Sequence, residues 1–411
     1  MNPGVRNGAR WRRILGALGP GLVVMLADTE AGSVIAAAQG GAQWGYRLLV
    51  FQLMLIPLLF IAQELSVRLG LGTGLGYIEL ILQRYGKRFA GVIMAALVLS
   101  CFGALVTEMS GLAGVGQLFG VPLWQSMTLL VVAIFLMVIT GSYHSIERLA
   151  IGLGLFEIAF FVVAWKAAPD HHLILDHLTQ QPLRDRGYLY LLAANLGTCV
   201  MPWTVAYQQS AIIDKGLTLK ELKIARLDTA LGAVFCQLVT CAVVIAGATL
   251  YSTGGAGGLN SVPDIASAFT HAFGDTVGRV VFALGLSGGA LVAIIVVCLT
   301  AAWTIGEATG MRHALEKHPK DAPWFYGTFV LMLVAGGVLV ASGINLVRLS
   351  IAIAVVNAIL LPLTLGCLFC LARSALPAEH RLRGRYAAWV AALFIAVGAL
   401  GLVSGIVGGL G

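Results

Sequence analysis

Residues 18–46 read LGPGLVVMLADTEAGSVIAAAQGGAQWGY, an apolar run that carries Asp28 and Glu30 near its middle. The run exceeds the roughly 20 residues that a helix needs to cross the hydrocarbon core of a bilayer. Each ionised acid at the bilayer centre costs roughly 2.5–3.5 kcal/mol, and residues two positions apart do not share a helix face. We therefore predict that the helix unwinds around residues 29–33, where Gly32 tolerates non-helical backbone, so that both acids face one cavity.

A second apolar run, residues 191–216, carries an interruption of its own. It reads LLAANLGTCVMPWTVAYQQSAIIDKG, and Pro202 has no N–H to donate to the Thr198 carbonyl. We predict a break near Gly197 to Pro202. Five helices separate the starts of the two broken helices, which is the arrangement of a LeuT-like, five-plus-five inverted repeat whose discontinuous helices meet at the bilayer midplane.

The composition extends this interpretation to the whole chain. Of the 411 residues, 59% are hydrophobic and only 11% are charged, whereas about 25% of residues in soluble proteins are charged. These values exclude a soluble enzyme, a disordered chain and a nucleic-acid-binding domain. The sequence predicts an all-α integral membrane protein with eleven transmembrane helices, at residues 14–40, 45–68, 89–118, 123–140, 146–167, 188–213, 227–250, 276–303, 324–341, 346–371 and 386–409.

The spans form a single transmembrane domain, residues 1–411, with no separate soluble part. Residues 14–167 are the predicted first repeat, residues 188–371 the second, and residues 386–409 an extra helix. Of the 26 Lys and Arg residues, 20 fall in segments on the N-terminal side of the membrane and 6 on the other. Because cytoplasmic loops carry the excess of Lys and Arg, the N-terminus is predicted inside and the C-terminus outside.

The two broken helices bring together the donors of a cation site. Asp28 and Glu30 supply hard carboxylate oxygens, Ser33 a hydroxyl and Thr198 a backbone carbonyl, whereas Met201 supplies a soft thioether. Oxygen ligands alone suit Mg²⁺, Ca²⁺ or Mn²⁺, and a thioether favours softer transition metals. We predict these five residues as ligands of a divalent metal ion.

At these residues the chain resembles the Nramp family of divalent metal transporters, and the similarity extends over nearly the whole chain. The first run resembles the family's first helix with its Asp-Pro-Gly-Asn motif, and residues 200–211, VMPWTVAYQQSA, resemble the sixth-helix Met-Pro-His segment. Residues 47–74 resemble the second helix, residues 107–122 the acidic third helix, and residues 141–155 the start of the fifth.

The resemblance assigns roles in the first helix position by position. Glu30 falls on the metal-binding Asp and Ser33 on the metal-binding Asn, and each keeps an oxygen ligand. Ala31 and Gly32 fall on the Pro and Gly between them. Asp28 has no counterpart in the motif and is an added acid.

In the sixth helix, Met201 matches the family's metal-binding Met, and Thr198 matches the residue that lends its carbonyl. Trp203 replaces the His that follows Met-Pro. Gln208 or Gln209 stands where a second His is usual, and either side chain is a candidate for reaching the ion or its water.

The third helix departs from the family as well. Glu108 matches the family's Glu, but the acid expected three residues earlier is Leu105. With two His and one acid missing from the titratable set, the chain resembles a divergent, Nramp-related branch that includes magnesium transporters. Proton coupling and the choice among Mn²⁺, Mg²⁺ and Fe²⁺ stay open at this point. Thr29 and Asn357 are further candidates for lining the pathway.

The leading prediction is a metal transporter that works by alternating access as a multi-pass monomer in the cytoplasmic membrane. It is not an enzyme: the metal is cargo, with no cofactor, and the partners are the ion and the lipid bilayer. A sodium-coupled amino-acid or other small-solute symporter of the same fold is one alternative, although two acids would repel a carboxylate substrate. A membrane sensor that binds metal without moving it is another.

Overall fold

The computed structural model describes residues 19–140, 143–167, 169, 171–252, 259, 261–310 and 323–409. Within these ranges the regular structure is entirely helical. Nine stretches of the described chain are long and apolar enough to cross a membrane, and the apolar helix at Leu123–Met137 is shorter.

Sixteen α-helices lie in the described ranges. The first eight are α1 Pro20–Asp28, α2 Ala31–Trp44, α3 Leu49–Thr73, α4 Tyr77–Leu118, α5 Leu123–Thr140, α6 Tyr143–Gly154, α7 Ile158–Lys166 and α8 His171–Thr179. The remaining eight are α9 Arg186–Gly197, α10 Pro202–Asp214, α11 Leu222–Ser252, α12 Val262–Phe273, α13 Asp275–Thr309, α14 Pro323–Ala341, α15 Leu346–Ser374 and α16 Gly384–Gly409.

The two predicted interruptions are present, with different extents. The first separates α1 from α2 and comprises only Thr29 and Glu30. The prediction of unwinding through residue 33 is wrong, because residues 31–33 already form the first turn of α2. The second interruption, residues 198–201, separates α9 from α10, and Pro202 begins the new helix where its missing N–H costs nothing.

The sequence did not predict three other features of the helices. A 3₁₀ turn, Leu155–Glu157, interrupts the predicted fifth span between α6 and α7. Helices α8 and α12 lie where loops were expected. Residues 14–18 of the first predicted span lie outside the described residues.

Helix α1 is capped by a side chain from a distant part of the chain. Asp228 of α11 accepts hydrogen bonds from the backbone N–H groups of Gly21 at 2.8 Å, Gly19 at 3.1 Å and Leu22 at 3.4 Å. A carboxylate at a helix N-terminus satisfies unpaired donors and offsets the positive end of the helix dipole. The cap therefore anchors the short half-helix α1 to α11.

Small residues bring α2 against α11. A Cβ on Gly41 would lie 2.3 Å from the Val244 carbonyl oxygen, and one on Gly247 would lie 2.4 Å from the Ala38 carbonyl oxygen. Only glycine permits such close backbone approach, as is common between packed membrane helices. The contact positions α11 beside the first helix break.

Candidate metal site

The two helix breaks meet inside the bundle. Helix α1 packs against α10, and the Asp28 carboxylate lies near the Cys199 thiol in the second break. All five predicted ligands are buried, with exposed fractions of 1% for Asp28, 3% for Glu30, 3% for Ser33, 4% for Thr198 and 0% for Met201. The ion that these residues are predicted to bind would thus be enclosed by protein.

Glu30 and Glu108 lie side by side at the start of α2. Their carboxyl groups are within hydrogen-bonding reach of each other, and Glu108 Oε2 accepts the Ala31 N–H at 2.9 Å. Glu108 is also within reach of the Gly32 N–H. Glu30 Oε2 and Glu108 Oε1 have no hydrogen-bond partner among the described residues. Two adjoining carboxyl groups with unpaired oxygens are suited to bind a cation.

Asp28 ends α1 and faces α11. Its Oδ2 accepts a hydrogen bond from the Cys236 Sγ at 3.5 Å, while Oδ1 has no partner in the described part of the chain. Asp28 also lies close enough to Glu30 to interact with it electrostatically. The positions of Cys199 and Cys236 in the sequence give no sign that both thiols lie beside this acid.

The side-chain hydroxyls of two predicted ligands donate hydrogen bonds to backbone carbonyls. Ser33 Oγ donates to the Glu30 carbonyl at 2.8 Å, and Thr198 Oγ1 donates to the Asn195 carbonyl at 3.2 Å. Both hydroxyl oxygens keep lone pairs that can bind a cation. Each hydroxyl hydrogen is used in a hydrogen bond to a carbonyl at the end of a half-helix. The Thr29 hydroxyl does the same, donating to the Met25 carbonyl at 3.1 Å.

Only the side chain of Met201 is available to bind a cation, because its carbonyl already accepts two hydrogen bonds. Its carbonyl accepts the Thr204 N–H at 3.2 Å and the Thr204 hydroxyl at 2.9 Å. Its fully buried thioether lies in the break itself, one residue before Pro202. The Thr198 carbonyl lacks the donor that a continuous helix would supply, because Pro202 has no N–H.

The other candidate pathway residues differ in their surroundings. Gln209 Nε2 donates to the Leu75 carbonyl at 2.7 Å, in the connection between α3 and α4, and Asn357 Oδ1 accepts the Ser100 hydroxyl at 2.9 Å. Trp203 and Gln208 are fully buried. The Trp203 Nε1 and both amide atoms of Gln208 have no partner among the described residues.

The polar stretch between the predicted fifth and sixth spans contains helix α8. His177 is only 4% exposed, and its Nδ1 accepts the Tyr46 N–H at 3.2 Å. Burial lowers the pKa of His177 below its usual value, and the nearby Arg47 charge adds to this. His177 is buried because α8 docks on the turn at Gly45–Leu48.

No group of three or more His, Cys, Asp or Glu side chains in the described ranges is arranged to hold a metal ion. The breaks also contain backbone carbonyls and the Met201 thioether, which are donors of the kinds that the sequence indicated.

Comparison with known sequences identifies relatives. A sequence model described as "Natural resistance-associated macrophage protein-like" (Nramp) matches residues 21–406. The divalent metal cation transporter MntH of Staphylococcus aureus (strain Mu3) is 24% identical over 269 residues, which are 62% of this chain and 59% of that protein. The matched region thus spans less than two thirds of the length of the curated relatives.

Solved structures share the fold. The manganese transporter of Eremococcus coleocola, in complex with an aromatic bis-isothiourea substituted compound, superposes with a TM-score of 0.78 at 17% identity, over 96% of this chain and 86% of that one. MhsT in complex with L-phenylalanine superposes with a TM-score of 0.60 at 16% identity, over 97% of both chains. At these identities the likeness concerns the fold alone.

Proposed function

Since the chain belongs to the Nramp family, we propose that it carries a divalent metal cation across a membrane. The observation that carries this proposal is the set of buried acids at the first helix break. Asp28, Glu30 and Glu108 each keep one carboxylate oxygen without a partner among the described residues, and none of them is in an ion pair there. Ionised acids inside a membrane protein are costly unless they are paired or bind a cation.

Glu30 is the central ligand in this proposal. It has the extended backbone of a break residue and lies beside Glu108. Asp28 supplies a second carboxylate, Met201 its sulfur and Thr198 its carbonyl. Ser33 contributes a lone pair of its hydroxyl oxygen, whose hydrogen is donated to the Glu30 carbonyl. The metal is transported cargo rather than a resident cofactor.

The proposed architecture has eleven membrane helices, arranged as two inverted repeats of five and an extra helix. The N-terminus lies inside and the C-terminus outside. The helices at the described spans and the distribution of Lys and Arg support this arrangement. The chain works as a monomer in the cytoplasmic membrane of its cell, with lipid as its surroundings, and it has no enzymatic role.

Transport proceeds by alternating access around the broken helices. The half-helices α1 and α10 meet at the breaks and are joined to their continuations by two and four residues respectively. A short non-helical segment changes its backbone angles at less cost than a packed helix. Movement of α1 and α10 would then expose the ion to each side of the membrane in turn.

The proposed cargo is of the Mn²⁺, Mg²⁺ and Fe²⁺ class. The Met201 sulfur favours the transition metals, whereas two carboxylates at the break also suit a hard ion. By the resemblance in sequence, Trp203, Leu105 and either Gln208 or Gln209 stand where the family has titratable side chains. We expect uptake that is not strictly coupled to protons.

A sodium-coupled symporter of amino acids is the alternative in the same fold, and MhsT bound to L-phenylalanine shares that fold. Asp28 and Glu30 disfavour it, because they would repel the carboxylate of such a substrate. A metal sensor would bind the ion but produce no flux, so transport into sealed vesicles separates it from a carrier.

Metal influx into proteoliposomes tests the proposed function. Mn²⁺, Mg²⁺ and Ca²⁺ are supplied separately to vesicles that hold a metal indicator and a pH dye. We expect uptake of Mn²⁺ or Mg²⁺, and Glu30→Gln should reduce it at least about tenfold because a central ligand loses its charge. Asp275→Asn, which alters an exposed acid, is the control. Normal uptake by Glu30→Gln would reject the site, and no uptake of any of the three ions would reject the carrier.

A further inference from the structure

Glu157 is a buried acid that the metal site does not use. It lies in the 3₁₀ turn between α6 and α7 and is 0% exposed. Neither carboxylate oxygen has a hydrogen-bond partner among the described residues. The Thr29 side chain is nearby, but its hydroxyl donates to the Met25 carbonyl. A carboxylate that stays ionised at this depth is stabilised by a cation or a paired positive group.

Glu157 shares a small space with the backbone of the first helix break. A Cβ on Gly289 of α13 would lie 2.3 Å from the Thr29 carbonyl oxygen and 3.2 Å from Glu157 Oε1. Both oxygens therefore converge on Gly289, whose lack of a side chain leaves room beside them. Helix α1 packs against α6, α11 and α13, so its C-terminal end forms one wall of this space.

Glu108 takes up the N–H groups that would pair with the carbonyls at that end in a continuous helix. In a continuous helix the Ala31 and Gly32 N–H groups would donate to the Ala27 and Asp28 carbonyls. The Ala31 N–H instead donates to Glu108 at 2.9 Å, and Glu108 lies within reach of the Gly32 N–H. Diversion of these donors leaves the C-terminal end of α1 with its partial negative charge uncompensated.

The two sides of the break thus differ in their electrostatics. The start of α2 presents N–H donors, which Glu108 accepts. The end of α1 presents carbonyl oxygens, and Glu157 adds a carboxylate there. Carbonyls of unwound segments and of half-helix C-terminal ends coordinate small monovalent cations in membrane carriers.

We propose that Glu157, the Thr29 carbonyl and the Ala27 carbonyl at the end of α1 form a second cation site, distinct from the one centred on Glu30. The donors are all oxygens, which select a hard cation. A single carboxylate balances a single positive charge, so the occupant is monovalent, and Na⁺ is the probe. A bound ion would fix the end of α1 against α13 and so link Na⁺ to the metal cargo, and this link alone rests on the proposed function.

Direct binding of radioactive Na⁺ to the purified protein tests the site, with a chelator present to remove divalent metals. We expect saturable binding of one Na⁺ per chain. Glu157→Gln should weaken it at least about 30-fold, whereas Glu157→Asp, which keeps the charge, should bind more tightly than Glu157→Gln. Asp275→Asn is the control and should bind as the unaltered protein does.

The thermal midpoint of unfolding provides a second readout, since Na⁺ should raise it in the unaltered protein and not in Glu157→Gln. Absence of saturable Na⁺ binding, or unchanged binding by Glu157→Gln, would overturn the second site. If metal uptake persists in either case, the proposed function stands. Na⁺ binding in a protein that takes up no metal would support the second site and overturn only the proposed function.

Discussion

Individual side chains at the two helix breaks fall into two groups. Ser33, Thr29 and Thr198 direct their hydroxyl hydrogens to backbone carbonyls, so they hold the ends of the half-helices. Glu30 and Asp28 retain unpaired oxygens among the described residues. The second group supplies the charge on which the proposed cation binding depends.

The thioether of Met201 is expected to discriminate between metals. Met201→Ala removes the soft donor while Asp28 and Glu30 stay in place. Uptake of Mn²⁺ or Cd²⁺ should fall by about tenfold more than uptake of Mg²⁺. Competition between these metals in proteoliposomes measures the difference, with Met54→Ala, an exposed methionine, as the control. Equal losses for every metal would show that the sulfur is not a ligand.

His177 should make the docking of α8 sensitive to pH. Burial lowers its pKa in the docked state, and the neutral Nδ1 accepts the Tyr46 N–H. As the pH falls below about 6.5, His177 is protonated in the undocked segment but stays neutral in the docked one. The equilibrium constant for docking of α8 should therefore fall by up to about tenfold per pH unit. Hydrogen exchange of residues 171–181, corrected for its intrinsic pH dependence, measures this. An equal response in His177→Gln would contradict it.

The ends of the broken helices depend on acids contributed by other helices. Asp228 of α11 caps the start of α1, and Glu108 of α4 accepts the N–H at the start of α2. Each half-helix is short, and isolated helices of fewer than about 12–15 residues are marginal. These caps therefore fix where the two halves begin, and with them the position of the break.

Loss of the α1 cap should destabilise the protein. Asp228→Ala leaves buried backbone donors without an acceptor, which costs about 1–3 kcal/mol, and Asp228→Asn should restore part of this because its amide oxygen still accepts. Thermal denaturation in detergent measures the change, with the exposed Asp275→Ala as the matched control. If Asp228→Ala and Asp275→Ala unfold at the same temperature, the cap contributes no stability.

The bundle as a whole surrounds the breaks with continuous helices. Helix α11 contacts α1, α2 and α3, and Glu64 of α3 bridges Arg68 and Arg226 at 2.6 Å each. Helix α11 thereby connects both α1 and α2, the halves of the first broken helix, to α3. A displacement of α1 would be transmitted through the same helix.

The proposed orientation predicts which surfaces a membrane-impermeant thiol reagent reaches. Lys220 and Arg184 are both exposed, and the charge distribution assigns them to the inside and the outside respectively. In a Cys370→Ala background, which removes the exposed native thiol, right-side-out vesicles should be labelled at Arg184→Cys at least about tenfold more than at Lys220→Cys. The reverse pattern would invert the proposed topology.

Local chemistry made several features predictable from the sequence. Long apolar runs in a bilayer must be helical because unpaired backbone groups are too costly there, and helix is found at the predicted spans within the described residues. Two acids and one proline inside such runs marked the two breaks. The resemblance in those motifs pointed to the family, which the sequence comparison confirms.

The packing of distant helices decided the rest. Asp28 meets Cys236, Ala31 meets Glu108 and Gly21 meets Asp228 across separations of 208, 77 and 207 residues. No local pattern encodes such partners, because they depend on which helix faces come together. The sequence by itself therefore determined that the helices form and where they break, whereas only the tertiary structure decided how far each break extends and which buried acids remain unpaired.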